Sequence, residues 1–224
     1  MIKKIKEIVK EINSTIDKLL DLDLLIDYNQ AIVSNNKICW SNKTCMINYM
    51  KLENLYSFYK ECVKSREYNF LFYDGSFIQI YYEFDKKVLS KHRLMYFNFS
   101  VLENDFFEKD NSIIDQLEEF EKMEDGEQFL NIKLFKDFGF IRFDYDRDAF
   151  EENIHPYSHC TINKEKARIP VKAPLSPIEF INFILKHYYA KKIDIKKTIF
   201  FHDTICDSEK ELLYFANKKE VDED

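Results

Sequence analysis

Residues Phe70–Phe84 read FLFYDGSFIQIYYEF, with Asp74-Gly75 set between two runs of aromatic and β-branched residues. An Asp-Gly pair tolerates the positive φ that a tight hairpin demands, so the stretch predicts two antiparallel strands joined by a two-residue turn. Within Phe77–Phe84, the period of two puts Ile78, Ile80, Tyr82 and Phe84 on one face and Phe77, Gln79, Tyr81 and Glu83 on the other. That pattern predicts one buried face and one partly wet face. A further strand around His92–Phe99 joins them. A fully buried parallel sheet needs alternating βαβ units, and the hairpin argues against them. The fold class predicted is therefore α+β: a single domain over residues 1–224, with a mainly antiparallel sheet of five to seven strands and helices packed mostly on one face.

Helical periods flank these strands. Ile2, Ile5, Val9, Ile12, Ile16 and Leu19 recur at alternating spacings of three and four, which predicts an amphipathic helix over about residues 1–20. Its near-heptad spacing fits either a seam to a protein partner or second copy, or a helix laid on its own core. Asn35-Asn36 predicts a turn before an extended Lys37–Trp40, and Leu52, Leu55, Tyr56, Tyr59, Cys62 and Val63 recur as a second helix. Ser112 and Asp125-Gly126 bound a third over residues 112–124. Ser176-Pro177-Ile178-Glu179 carries an N-cap, a proline at the first helical position and a glutamate two residues further on, opening a helix to about Tyr189. A last helix opens at Ser208, with Glu211 three residues on, and docks through Leu212, Leu213 and Ala216.

Composition bounds the function. A net charge of −7 excludes a broad basic face for duplex nucleic acid while leaving room for a local basic patch. Five cysteines, odd in number and without a CxxC pair, resemble neither a disulfide framework nor a zinc ribbon and point, with no leader segment in view, to the cytoplasm. No run approaches the length of a membrane span. No glycine-rich phosphate loop occurs, so ATP or dinucleotide binding is not expected.

Residues 139–177 gather the chemistry: GFIRFDYD, then HPYSHCTI, then RIPVKAPLSP. In Phe140–Asp146 the alternation puts Ile141, Phe143 and Tyr145 on one face and Arg142, Asp144 and Asp146 on the other. If His155–Ile162 returns antiparallel, His159 and Thr161 share the face of the aspartates, Ser158, Cys160 and Ile162 take the core side, and His155 curls over the same place from the loop. Arg168-Ile169-Pro170-Val171 reads as an edge strand, since proline donates no ladder bond. Arg168 is also a candidate anion contact ahead of the helix at Pro177. His92, between Lys91 and Arg93, reads as an exposed strand end.

Asp144, Asp146, His155 and His159 are thus the candidate catalytic residues, with Arg142 and Arg168 as candidate substrate-binding residues. Two chemistries suit them. Mixed oxygen and nitrogen ligands suit a divalent manganese, iron or zinc ion. Alternatively the two histidines exchange protons with substrate while an aspartate orients the base and an arginine holds a phosphate, as metal-free cleavage of RNA through its 2′-hydroxyl requires. Each residue also has an ordinary structural use: Arg142 pairs with Asp144, an aspartate starts a turn, a histidine bonds backbone.

The ordered set RFDYD, HPYSH, RIP and SPIEFINFILKHYY resembles a family of uncharacterised bacterial proteins, a domain of unknown function. The resemblance extends back through NQAIVSNNKICW and the FIQIYYEF and KHRLMYFNF strands. It implies a further histidine two positions after His159, where this chain has Thr161, so a three-histidine metal site is in doubt. It also implies an association with anti-phage defence, mobile elements and toxin-like proteins. The expectation is a cytoplasmic hydrolase, a nuclease or phosphodiesterase of defence or toxin type acting on nucleic acid. The competing expectation is a non-enzymatic interaction subunit of a larger defence or ATPase-containing assembly.

Overall fold

The computed structural model describes residues 2–40, 55–86, 88–99, 111–123, 139–152, 154–163 and 167–210. Among them nine strands form one antiparallel sheet: β1 (Leu25–Tyr28), β2 (Ile32–Ser34), β3 (Lys37–Cys39), β4 (Phe70–Phe72), β5 (Phe77–Asp85), β6 (Val88–Asn98), β7 (Gly139–Asp146), β8 (Ser158–Ile162) and β9 (Arg168–Pro170). The order is β1-β4-β5-β6-β7-β8-β9, with β3 on the other half of β5 and β2 paired to β3. The α+β class and the antiparallel sheet are as predicted. The strand number exceeds the expected five to seven because β2, β3, β4 and β9 have three residues each, too few for a period of two to register.

The hairpin around Gly75 forms with one more loop residue than predicted. The Phe72 amide donates to the Ser76 carbonyl at 2.8 Å and the Gly75 amide to the Phe72 carbonyl at 3.0 Å. Residues 73–75 therefore make the loop, with Gly75 at φ 89° in the left-handed position of such hairpins. A Cβ on Gly75 would lie 2.8 Å from the Phe99 ring. The Asn35-Asn36 turn is also real, both residues having positive φ (49° and 64°) between the paired Ser34 and Lys37.

Helices α1 (Ile2–Asp21), α2 (Leu55–Lys64), α3 (Ile113–Glu121), α4 (Pro177–Tyr188) and α5 (Asp207–Lys210) complete the described elements. The two longest, α1 and α4, cover one face of the sheet. Ile5, Ile8, Ile12, Ile16 and Leu19 pack with Ile178, Ile181, Ile184 and Leu185 against Ile78, Ile80, Tyr82, Leu94 and Phe143. The apolar stripe of α1 is thereby laid on its own core, the second of the two uses that its spacing allowed.

The opposite face of β5 departs from its predicted wetness. Phe77, Gln79 and Tyr81 are buried. The shorter α2 and α3 bring Phe58, Tyr59, Cys62, Ile113 and Leu117 onto Leu71, Phe77, Met95 and Phe97 there, while the Gln79 amide donates to the Glu67 carbonyl. Trp40 Nε1 donates to Glu67 Oε2 at 2.5 Å.

The capping box of α4 forms as predicted. Ser176 Oγ accepts from the Glu179 amide at 3.3 Å and Glu179 Oε2 accepts from the Ser176 amide at 2.9 Å. Beyond α4, residues 190–206 carry no regular secondary structure and are tied to α1: Glu11 Oε1 accepts from the Thr198 amide (2.6 Å), the Thr198 hydroxyl (2.7 Å) and the Ile199 amide (2.9 Å). The last helix begins at Asp207 rather than Ser208, and the Cys206 amide donates to Glu209 at 3.2 Å. Leu52, the Asp125-Gly126 stop, Glu211, Leu212, Leu213 and Ala216 lie outside the described residues. Cys62, Cys160 and Cys206 are not disulfide-bonded, whereas Cys39 is, an exception to the set without disulfides that was expected. No described helix is long and apolar enough to cross a membrane.

Candidate functional site

Strand register builds the site in rows. Arg93 of β6 stands opposite Asp144 of β7, Asp144 opposite His159 of β8, and His159 opposite Pro170 of β9. The row on one side joins Lys91 to Asp146. The row on the other side joins Arg142, Thr161 and Arg168. Cross-strand neighbours on one face are about 5 Å apart, so these rows merge into one polar patch. The patch lies on the face that α2 and α3 cover further along β5 and β6. Here that face opens into a cleft of about 140 Å³ lined by Lys91, Arg93, Arg142, Asp144, Asp146, His155, His159 and Arg168.

All six candidate residues therefore reach one cleft, but in different states. Asp144 is buried and held by two guanidinium groups, Arg142 Nε at 2.5 Å and Arg93 Nε at 3.1 Å. Burial pushes its carboxyl up, and the charges of Arg142, Arg93 and His159 outweigh that and leave it below the usual carboxylate range. His159, 2% exposed, has Nε2 3.6 Å from Asp144 Oδ2, beyond a direct hydrogen bond, and Nδ1 3.3 Å from the Pro156 carbonyl. A carbonyl only accepts, so the proton of the neutral ring belongs on Nδ1 and the Nε2 lone pair faces the cleft. Burial lowers the His159 pKa to about 4 against the pull of Asp144, with His155 and Arg168 adding to the fall. At neutral pH the ring is uncharged.

The His155 ring meets His159 edge to face at 4.8 Å, and its Nδ1 is buried without a partner. Asp146 sits at the rim, paired to Lys91 at 2.9 Å and accepting from the Asp148 amide at 3.2 Å. Arg168 is half-buried and makes no ion pair with any described carboxylate. Thr161 fills its row fully buried, with Oγ1 unpartnered.

Three expectations change here. Arg93 and Lys91 belong to the cleft, a placement hidden in the sequence because it depends on the pairing of β6 with β7. His92 is not an exposed strand end: at 1% exposure it faces the α1 and α4 side between Tyr82 and Tyr145. Ile162 was expected on the core side, but it is 47% exposed where β8 ends.

Among the described residues no group of three or more His, Cys, Asp or Glu side chains is arranged to hold a metal ion. Two arginines already occupy the carboxylate that such an ion would need. The arrangement instead suits an anion. Four cationic side chains face two carboxylates, and a small cleft of this size fits a phosphoryl group better than a whole drug-sized ligand. Neither the curated proteins nor the solved structures contain a match to this chain. Residues 24–217 match the family model described as "Uncharacterized conserved protein (DUF2290)", and the chain belongs to that family.

Proposed function

We propose that this cleft is the active site of a phosphodiesterase that cleaves nucleic acid by metal-independent acid–base chemistry, a nuclease of the kind defence and toxin systems use. The observation that carries the reading is the pair His155 and His159, in ring contact beside Asp144 in a cleft that Arg168 also lines. On RNA, His159 Nε2 takes the proton of the 2′-hydroxyl and the 2′ oxygen bonds to phosphorus. The bond from phosphorus to the 5′ oxygen then breaks, and His155 as imidazolium gives its proton to the departing oxygen. Asp144 stabilises the His159 imidazolium formed in the first step, and Arg168 with Lys91 offsets the charge that builds on the phosphoryl oxygens.

The test is turnover of RNA and of a small chromogenic phosphodiester that keeps a 2′-hydroxyl beside its phosphate, each with and without a chelator, with DNA, which lacks that hydroxyl, as the comparison. The proposal requires activity that survives chelation and disappears in His155→Ala and His159→Ala. Undiminished turnover in His159→Ala, or turnover abolished by chelation, refutes it. The interaction-subunit reading keeps one supporting observation: Ile26, Tyr28 and Val33 lie exposed along β1 and β2. On that reading both histidine variants lose stability and there is no turnover to lose.

A further inference from the structure

The segment that follows α4 forms a surface distinct from the cleft. Residues 186–200 read KHYYAKKIDIKKTIF, five lysines against one aspartate in a chain whose net charge is −7. Ile193 and Ile199 are buried and Ile195 is half-buried, while Lys192, Asp194, Lys196, Thr198 and Phe200 are exposed. The Asn182 side chain accepts from the Ile193 amide at 3.0 Å, and Glu11 holds Thr198 and Ile199, so the strip is fixed rather than loose. Lys197 pairs with Glu179 and lies 4.5 Å from the Phe200 ring centre. Lys186, Lys191, Lys192 and Lys196 make no ion pair with any described carboxylate. Two large rings stand at its ends, Phe200 at 69% exposure and Tyr188 at 45%.

We infer that this strip docks single-stranded nucleic acid. Lysines without carboxylate partners attract phosphates, and the exposed rings that flank Lys191, Lys192 and Lys196 offer stacking faces to unpaired bases of any sequence. Segregation of positive charge in a chain of net charge −7 favours a local polyanion contact over a diffuse one. An anionic membrane would also attract the lysines, but a strip with only two large exposed rings lacks the broad apolar face that interfacial insertion needs. The inference is independent of the chemistry assigned to the cleft.

The experiment measures binding of the full-length protein to fluorescent single-stranded RNA and DNA over a salt series. It also covers the duplex form and vesicles with anionic headgroups. Wild type should prefer single strands. The triple variant Lys191→Glu, Lys192→Glu, Lys196→Glu should flatten the dependence of log affinity on log salt by about 2, at roughly 0.7 for each phosphate no longer neutralised. Phe200→Ala should weaken binding roughly 5- to 150-fold, the loss of one base stack. Circular dichroism keeps misfolded variants out of the comparison. Turnover of the small chromogenic diester should be unchanged in all four substitutions, so failure of this inference and failure of the cleft chemistry are separate results. Absence of single-strand binding by wild type, unaltered affinity in either variant, or a preference for vesicles overturns it.

Discussion

Replacing His92 with phenylalanine tests the buried side of the sheet. Both ring nitrogens of His92 are buried without a partner, and the ring lies between Tyr82 (5.5 Å) and Tyr145 (6.1 Å). Burial holds its pKa at about 4, against an ordinary value of 6.5, with Asp144 opposing the fall. The unfolded chain therefore binds a proton between those values that the folded chain refuses, and stability falls as pH drops through that window. At pH 5 the difference amounts to about 2 kcal/mol relative to pH 7.5, from roughly 1.36 kcal/mol per pKa unit. His159 adds a loss of about the same size for the same reason, since its pKa is also about 4. Urea melts at pH 7.5 and pH 5 should show wild type losing about 4 kcal/mol and His92→Phe about half that. Near neutrality the variant should lie within about 1.5 kcal/mol of wild type, as for other volume-conserving core swaps. A variant that tracks the wild-type pH profile would refute the reasoning.

Other outcomes follow from the cleft and its supports. Asp144→Asn removes the carboxylate that Arg93 and Arg142 share and should cost about 3–5 kcal/mol in a urea melt, as expected for breaking a buried pair. A loss below about 1 kcal/mol would mean that the charges are screened. Ser176→Ala should cost roughly 0.5–2 kcal/mol through the lost cap, and a charge at the fully buried Ile184 should cost more; the reverse order would misplace α4. On the small diester, His159→Ala should lower kcat by about 10²–10⁴-fold. The acid limb of kcat/KM should fall near pH 4, where His159 takes up its proton; an acid limb set by a group near pH 6.5 would exclude His159 as the base.

The sequence made the centre of the fold and the site legible wherever alternation ran long enough. β7 spans Gly139–Asp146 as one uninterrupted period of two, so the common face of Arg142, Asp144 and Asp146 could be read directly, and with an antiparallel return so could His159. What escaped depended on neighbours in space. Arg93 enters the site only because β6 pairs with β7. Phe77 is dry because α2 and α3 fold over it, and Tyr81 because Cys39 and Trp40 pack against it. His92 looked exposed because its flanking residues are cationic, yet Lys91 and Arg93 point to the other face of the same strand. The seam suggested by α1 and the core contact it makes have the same spacing, and only the sheet beneath decides between them.

Glu11 belongs to α1, which precedes the matched region 24–217, yet its carboxylate satisfies amides of Thr198 and Ile199 inside that region. The borders of the recurring segment and the borders of what must fold together are therefore different. A chain trimmed at residue 24 would uncover Ile78, Ile80 and Leu94, which share a core with Ile8 and Ile12 of α1, and would deprive two strip amides of their acceptor. The lysine and phenylalanine surface is thus built on a scaffold outside the segment that defines the family. Any relative that presents such a surface without this helix must provide both a covering element for the sheet and a carboxylate or carbonyl in the place of Glu11.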